Sequence, residues 1–251
     1  MNTRVLTALL TLSLIPALSG AAHAQTLTAD QVAEKHLAAM GGRDLLSKLT
    51  TRKATGTISL GTPMGDLAGT VEMIAKAPNK LSATIAVDLT ALGGPGEMVI
   101  RQIFDGTTGW SLNSMQGDTP LTGDQLEGSR NAYFPTPLLN YKTTGATLTM
   151  EASQKVNGRD AHVLVLTPKT GRPSKLFFDA QTFLLVRSSN SASNPQVGEV
   201  EQISEPSDYR DVDGLKVAFS MTQSAAGQTI TMKFTKVEQN IAVDDGVFIK
   251  K

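Results

Sequence analysis

Apolar and polar residues alternate along most of this chain from Arg52 onward. The stretch "KLSATIAVDL" is the clearest case, with Leu81, Ala83, Ile85, Val87 and Leu89 set against Ser82, Thr84 and Asp88. In "ATGTISL", Ala54, Gly56, Ile58 and Leu60 alternate with Thr55, Thr57 and Ser59, and "LAGTVEMIA" puts Leu67, Val71 and Met73 on one side. A period of two marks half-buried antiparallel strands with one face toward an apolar interior. Dipeptides that tolerate positive φ punctuate the pattern at Asp105-Gly106, Asn157-Gly158 and Asp213-Gly214, and another turn falls near Ala180-Gln181. Roughly a dozen extended segments joined by tight turns predict one continuous up-and-down sheet.

Two regions depart from this period. "TLTADQVAEKHLAAMGG" opens with Thr28 and carries Gln31 three residues later, a capping box. Val32, Leu37 and Met40 follow at helical spacing, and Gly41-Gly42 ends the helix. A shorter helix is expected over Asp44 to Leu49. Between Thr119 and Gly145 the alternation lapses, and turn residues flank two short helical pieces, Gly123 to Ala132 and Pro137 to Lys142. Ser188 to Gly198 reads as a mobile polar loop. Gly93-Gly94-Pro95-Gly96 breaks the strand pattern and is, with that loop, a candidate hinge or rim.

Arg4, the leucine-rich run Val5 to Leu18 and Ala22-His23-Ala24 have the order of a secretory signal, expected to be cleaved after Ala24. That leaves residues 25–251 as one β-rich domain. The chain has no cysteine, so neither a lipid-bearing cysteine nor a disulfide framework is available. Lys plus Arg number 23 against 23 Asp plus Glu, and a near-neutral chain lacks the basic footprint that nucleic acid needs.

Candidate chemistry is sparse. "SDYRDVDGLKV", Ser207 to Val217, gathers three aspartates, but their spacing is wrong for a calcium loop and no distant glutamate completes one. Asp213-Gly214 instead supplies a hairpin turn, near which Asp211 and Arg210 are expected to pair. His36, on the first helix, is expected at the surface, and His162 as a satisfied strand residue. No zinc-protease, nucleophile-elbow, Walker or dinucleotide-binding pattern occurs. Catalytic residues, metal and cofactor are therefore all expected to be absent. What stands out is apolar surface on one curved sheet, with methionines at 73, 98, 115, 150, 221 and 232 of the kind adaptable binding surfaces use.

The order of parts resembles the LolA/LolB-like superfamily of outer-membrane lipoprotein-sorting proteins. The resemblance is carried by the short helix ending in Gly41-Gly42, by "FDGTTGW", by "SKLFFDAQTFLLVR" with Phe177-Phe178-Asp179 and Leu184 to Arg187, by "DYRDVDGL", Asp208 to Leu215, and by "VEQNIAVDDGVF". It implies a mainly β, α+β fold: a single antiparallel curved sheet forming an incomplete β-barrel, its concave side covered by the N-terminal helix and the middle helices. It further implies a monomeric, non-enzymatic carrier in the periplasm of a Gram-negative bacterium, sheltering acyl chains of lipoproteins or another lipid between membrane-associated donor and acceptor proteins. On that basis Ile58, Val71, Met73, Ile85, Val87, Ile100, Phe104, Trp110, Phe219, Met221 and Phe234 are the expected lining of an apolar cavity, and Arg101, in an apolar strand, is the candidate inward-facing arginine. A periplasmic protein-interaction module and a hydrolase-associated domain are the alternatives.

Overall fold

The computed structural model describes residues 27–62, 65–90, 93–94, 96–194 and 198–251. The expected signal segment, residue 95 of the Gly-Gly-Pro-Gly break and residues 195–197 lie outside them. Helix α1 spans Ala29–Ala39 and α2 spans Arg43–Ser47. The strands are β1 Thr51–Thr62, β2 Gly65–Lys76, β3 Lys80–Asp88, β4 Glu97–Phe104, β5 Gly109–Asn113 and β6 Thr119–Pro120. After α3, Gly123–Asn131, and a 3₁₀ turn at Pro137–Leu139, come β7 Thr147–Val156, β8 Arg159–Thr167, β9 Ser174–Asp179 and β10 Leu185–Asn194. β11 Gly198–Val212, β12 Leu215–Ala225, β13 Gln228–Gln239 and a second 3₁₀ turn, Asp245–Phe248, complete the order.

All thirteen strands form one antiparallel, curved, unclosed sheet in the order β6-β5-β4-β3-β2-β1-β13-β12-β11-β10-β9-β8-β7. The chain starts at the centre, works outward hairpin by hairpin to β6, crosses to the opposite edge and works back until β13 lies beside β1. The crossing segment, residues 121–146, holds α3 and the first 3₁₀ turn. It therefore spans the gap between the two edges. This is how a middle section without strand periodicity comes to stand over the sheet.

Register assigns the faces. Ile58 lies opposite Met232, Val71 opposite Ile85, Val87 opposite Met98, and Leu164 opposite Leu176. Val32, Ala33 and Leu37 of α1 pack on that same face of β8 and β9, against Leu164, Leu166, Leu176 and Phe178. The capping box at Thr28 and Gln31 starts the helix as expected, with the Gln31 amide 3.2 Å from Thr28 Oγ1. Gly42 ends α1 by donating to the Leu37 carbonyl. A second apolar cluster lies where β12, β13, β1, β2 and β3 curve around Ile58, Val71, Val87, Phe219, Met232 and Phe234.

Several local expectations change. Ser188–Asn194 is not a loop but part of β10, paired with β11 from Ser204 to Gly198. Its polarity has a structural cause described below. His36 is 4 % exposed and not at the surface: its Nδ1 lies 2.9 Å from the Phe183 carbonyl and its ring packs on Phe178. Helical spacing alone put it outside, whereas the curved sheet wraps far enough to cover that side of α1. Arg210 pairs with Asp208, at 2.6 Å, and not with Asp211. Asp211 instead accepts from the Gly214 amide, which steadies the Asp213-Gly214 turn at positive φ.

Two glycines mark where strands approach too closely for a side chain. A Cβ on Gly56 would meet the Lys233 carbonyl oxygen, and one on Gly69 the Ala86 carbonyl oxygen, both well inside van der Waals contact. Gly69→Ala is expected to cost about 1–3 kcal/mol, read as a lower denaturant midpoint at unchanged slope. A second expectation concerns acid. Burial lowers the pKa of His36 from 6.5, partly opposed by its bond to the Phe183 carbonyl. The unfolded chain then binds its proton first as pH falls, so stability is full above about pH 6.5 and declines below it by up to about 1.4 kcal/mol per unit. Urea midpoints at several pH values should show this, with a shallower acid limb in His36→Gln.

Candidate functional site

A cavity of about 640 Å³ lies between the concave face of the sheet and the crossing segment. Its walls come from both halves of the sheet: Leu81, Gln102 and Ser111 on one side, Leu166, Ser174, Leu176, Ser188, Asn190, Gln202 and Gln223 on the other. The roof is Leu121, Gln125, Ser129, Asn131, Ala132, Tyr133 and Tyr141. One cavity touching both halves is what identifies this face as concave.

Hydrogen bonds hold the roof at each margin. On one side the Phe134 amide donates to the Pro78 carbonyl at 2.7 Å, and Asn79 Nδ2 donates to the Arg130 carbonyl at 3.0 Å. On the other, Asn131 Nδ2 donates to the Thr170 carbonyl at 2.8 Å, and Arg172 bridges Asp124 of α3 at 2.7 Å to Glu199 of β11 at 2.6 Å. Partly exposed ion pairs of this kind contribute roughly 0–1 kcal/mol each. Beside the cavity, Tyr141 donates its hydroxyl to Asp30, and Lys142 reaches the same carboxylate at 2.6 Å, which ties the roof to α1.

The fold has relatives among solved structures. A domain from Vibrio parahaemolyticus assigned to outer membrane lipoprotein sorting is 10% identical and superposes with a TM-score of 0.57 over 88% of this chain and 95% of that one. A LolA superfamily protein from Nitrosomonas europaea is 14% identical, with a TM-score of 0.55 over 90% and 99%. A DUF1329 family protein from Desulfovibrio piger is 12% identical, with a TM-score of 0.56 over 89% and 98%. This chain has a LolA-like fold. No family profile and no curated protein sequence matches it.

Within this LolA-like sheet the eleven residues expected to line a cavity fall into three groups. Ile58, Val71, Val87, Phe219 and Phe234 are buried together in the second apolar cluster, with Met73, Ile85 and Met221 half-buried at its margin. Phe104 is fully buried, and Ile100 lies opposite Ile85 on the same face. Trp110 pairs with Ile103 on the outer face, where it lines a separate cavity of about 420 Å³ with Phe248 and the last three residues, and Lys250 lies 4.0 Å from its ring centre. None of the other ten lines the 640 Å³ cavity. Arg101 also faces outward, donating to Ser82 Oγ and to the Val247 carbonyl.

An arginine of the sheet that does face inward is Arg52. It lies opposite Ala75 and Gln239 on the concave face, its guanidinium 5.5 Å from the Phe134 ring centre of the roof. Among the described residues its Nε has no hydrogen-bond partner, and burial alone pulls its pKa down to about 10. No apolar run surrounds it in sequence, so only the strand parity with Ala54, one alternation away, could have flagged it. His36 and His162 are occupied by Phe183, the first through its carbonyl and the second by ring stacking at 5.5 Å. Among the described residues, no group of three or more His, Asp or Glu is placed to hold a metal ion, and no helix is long and apolar enough to cross a membrane.

Because Arg52 pairs with no carboxylate among the described residues, removing its charge leaves none of them stranded. Arg52→Met is expected to keep the thermal midpoint or raise it, with any change within about 1 kcal/mol, since a partly buried cation–π contact of comparable size is lost. A much larger loss in a melting experiment would reveal an anionic partner for this side chain.

Proposed function

We propose that the protein is a non-catalytic carrier that takes acyl chains of lipoproteins or another lipid into the concavity and conveys them between membranes through donor and acceptor proteins in the periplasm. The observation that supports this is the 640 Å³ cavity between sheet and roof, with Leu81, Leu166 and Leu176 on its walls and Leu121 in the roof. Its volume lies in the range of ligand sites, ~300–1,000 Å³. Each methylene moved from water into such a site contributes about 0.8 kcal/mol, so a tail of modest length can compete with a bilayer. The LolA-like fold and the lipoprotein-sorting neighbours point the same way.

The packed cluster beside the cavity fits this reading as a floor. Ile58, Val71, Val87, Phe104, Phe219 and Phe234 hold the curvature, while half-buried Met73, Ile85, Ile100 and Met221 are the residues a longer tail would reach as the roof lifts. A cavity already closed by a well-packed core admits nothing, so the roof must be the weaker contact.

Extraction of the purified protein with organic solvent and mass spectrometry should recover bound lipid. Leu81→Gln, on the cavity wall, should cut uptake of a fluorescent fatty acid several-fold with little change in thermal midpoint. Val87→Gln, in the floor and 2 % exposed, should instead lose at least about 2 kcal/mol of stability. Equal uptake by wild type and Leu81→Gln, together with extracts free of lipid, would overturn the carrier reading.

A further inference from the structure

The cavity is not uniformly oily, and its polar part is distributed unevenly. Its inner β-wall carries three carboxamides from β10, β11 and β12, Asn190, Gln202 and Gln223, and a fourth, Gln102, on β4. Asn190 and Gln202 are cross-strand partners, with Asn190 Nδ2 3.5 Å from Gln202 Oε1, and among the described residues the side-chain hydrogen bond of Gln223 goes to the Met221 sulfur, at 3.8 Å. Among the described residues, Gln102 makes no side-chain hydrogen bond to the protein. These amides are therefore mostly unsatisfied by the fold while pointing into a concave space. The charged residues on the walls, Arg172 and Asp124, are engaged with each other at the rim. The remaining wall offers neutral donors and acceptors, the inventory that pairs with hydroxyls and amides and gives no net attraction to a phosphate.

The chain itself shows that this polarity is built in. Ser188 to Asn194 looks like a loop because two of its three inward positions, Ser188 and Asn190, are polar, whereas Ile58, Val71, Val87 and Phe219 occupy inward positions of the packed floor. A half-buried strand with a hydrophilic inner face gains little from burial, so its inner face makes sense as a surface for something hydrophilic.

We infer that the cavity selects a ligand with an uncharged, polyhydroxylated group, a sugar, held against the carboxamide wall while an attached acyl tail lies along Leu81, Leu166 and Leu176. This rests on the carrier reading for the tail, but the sugar could come from a glycosylated lipid or from a free saccharide.

The test uses probes with one tail and different heads. Isothermal titration, below each micelle threshold, would compare dodecyl maltoside, dodecylphosphocholine and dodecyl sulfate, with maltose alone as the tail-free arm. The expected result is at least tenfold tighter binding of the maltoside than of either charged-head probe. Gln202→Leu/Gln223→Leu, at two exposed positions where folding is insensitive, should reduce that preference to less than threefold. Thermal melts of the variant confirm that it is folded. Equal affinity for all three heads overturns the sugar inference and leaves the carrier reading standing. Maltose binding as tightly as the maltoside keeps the sugar and removes the tail, which overturns the carrier reading alone. Failure of every probe to bind overturns both.

Discussion

Strands β1 and β13 run side by side at the centre of the sheet although nearly the whole described chain separates them. Beyond the ladder itself, the Asn240 side chain accepts from the amide and hydroxyl of Thr50, and the Thr51 hydroxyl donates to the Ile241 carbonyl, contacts 190 residues apart in sequence. Each other neighbouring pair in the sheet is consecutive in the chain and can form as a local hairpin. Joining the two meanders therefore carries the largest loop-closure cost, and everything gained by curvature depends on it. Once joined, the sheet has its two edges at the outer ends of the meanders, and the link between them, residues 121–146, crosses on the concave side. The roof of the cavity is a consequence of strand order.

The same curvature explains why an apolar inner face is only in part a binding surface. At the centre, β12, β13, β1, β2 and β3 bend tightly enough for Ile58, Val87, Phe219 and Phe234 to fill the space between them, at the density expected of an interior. Toward the β8–β11 side α1 packs on β8 and β9, α3 stands over the sheet, and a cavity remains. Floor and cavity are thus two parts of one surface, one filled by its own side chains and the other covered by helices. Gly56 and Gly69, which let β13 and β3 approach their partners without a side chain between, belong to the packed part.

Much of this was legible in the chain. Alternation located most strands, the capping box and Gly41-Gly42 bounded α1, and the positive-φ dipeptides at Asn157-Gly158 and Asp213-Gly214 fell on hairpin turns. The resemblance carried by the strand ends agreed with the LolA-like architecture. What alternation cannot give is which face is which when both are covered. On β4 and β5, Ile103 and Trp110 are apolar because the C-terminal turn at Phe248 packs outside them, so their pattern resembles an inner wall. Conversely, the second part of β10, Ser188–Asn194, has polar Ser188 and Asn190 on its inner face and reads as a loop. Both errors share one cause: hydrophobicity reports contact with something apolar, and neither a covering tail nor a polar cavity is visible in local period. Arg52 escaped notice for the same reason, since its neighbours on the inner face come from β2 and β13.

The placement of Trp110 has a practical side. It is the single tryptophan of the chain, and it lies on the outer face beneath the Lys250 ammonium, beside Ile249 and Lys251. Tryptophan emission from this protein is therefore a gauge of whether Ile249, Lys250 and Lys251 stay docked, and its reporter lies on the opposite face of the sheet from the hollow.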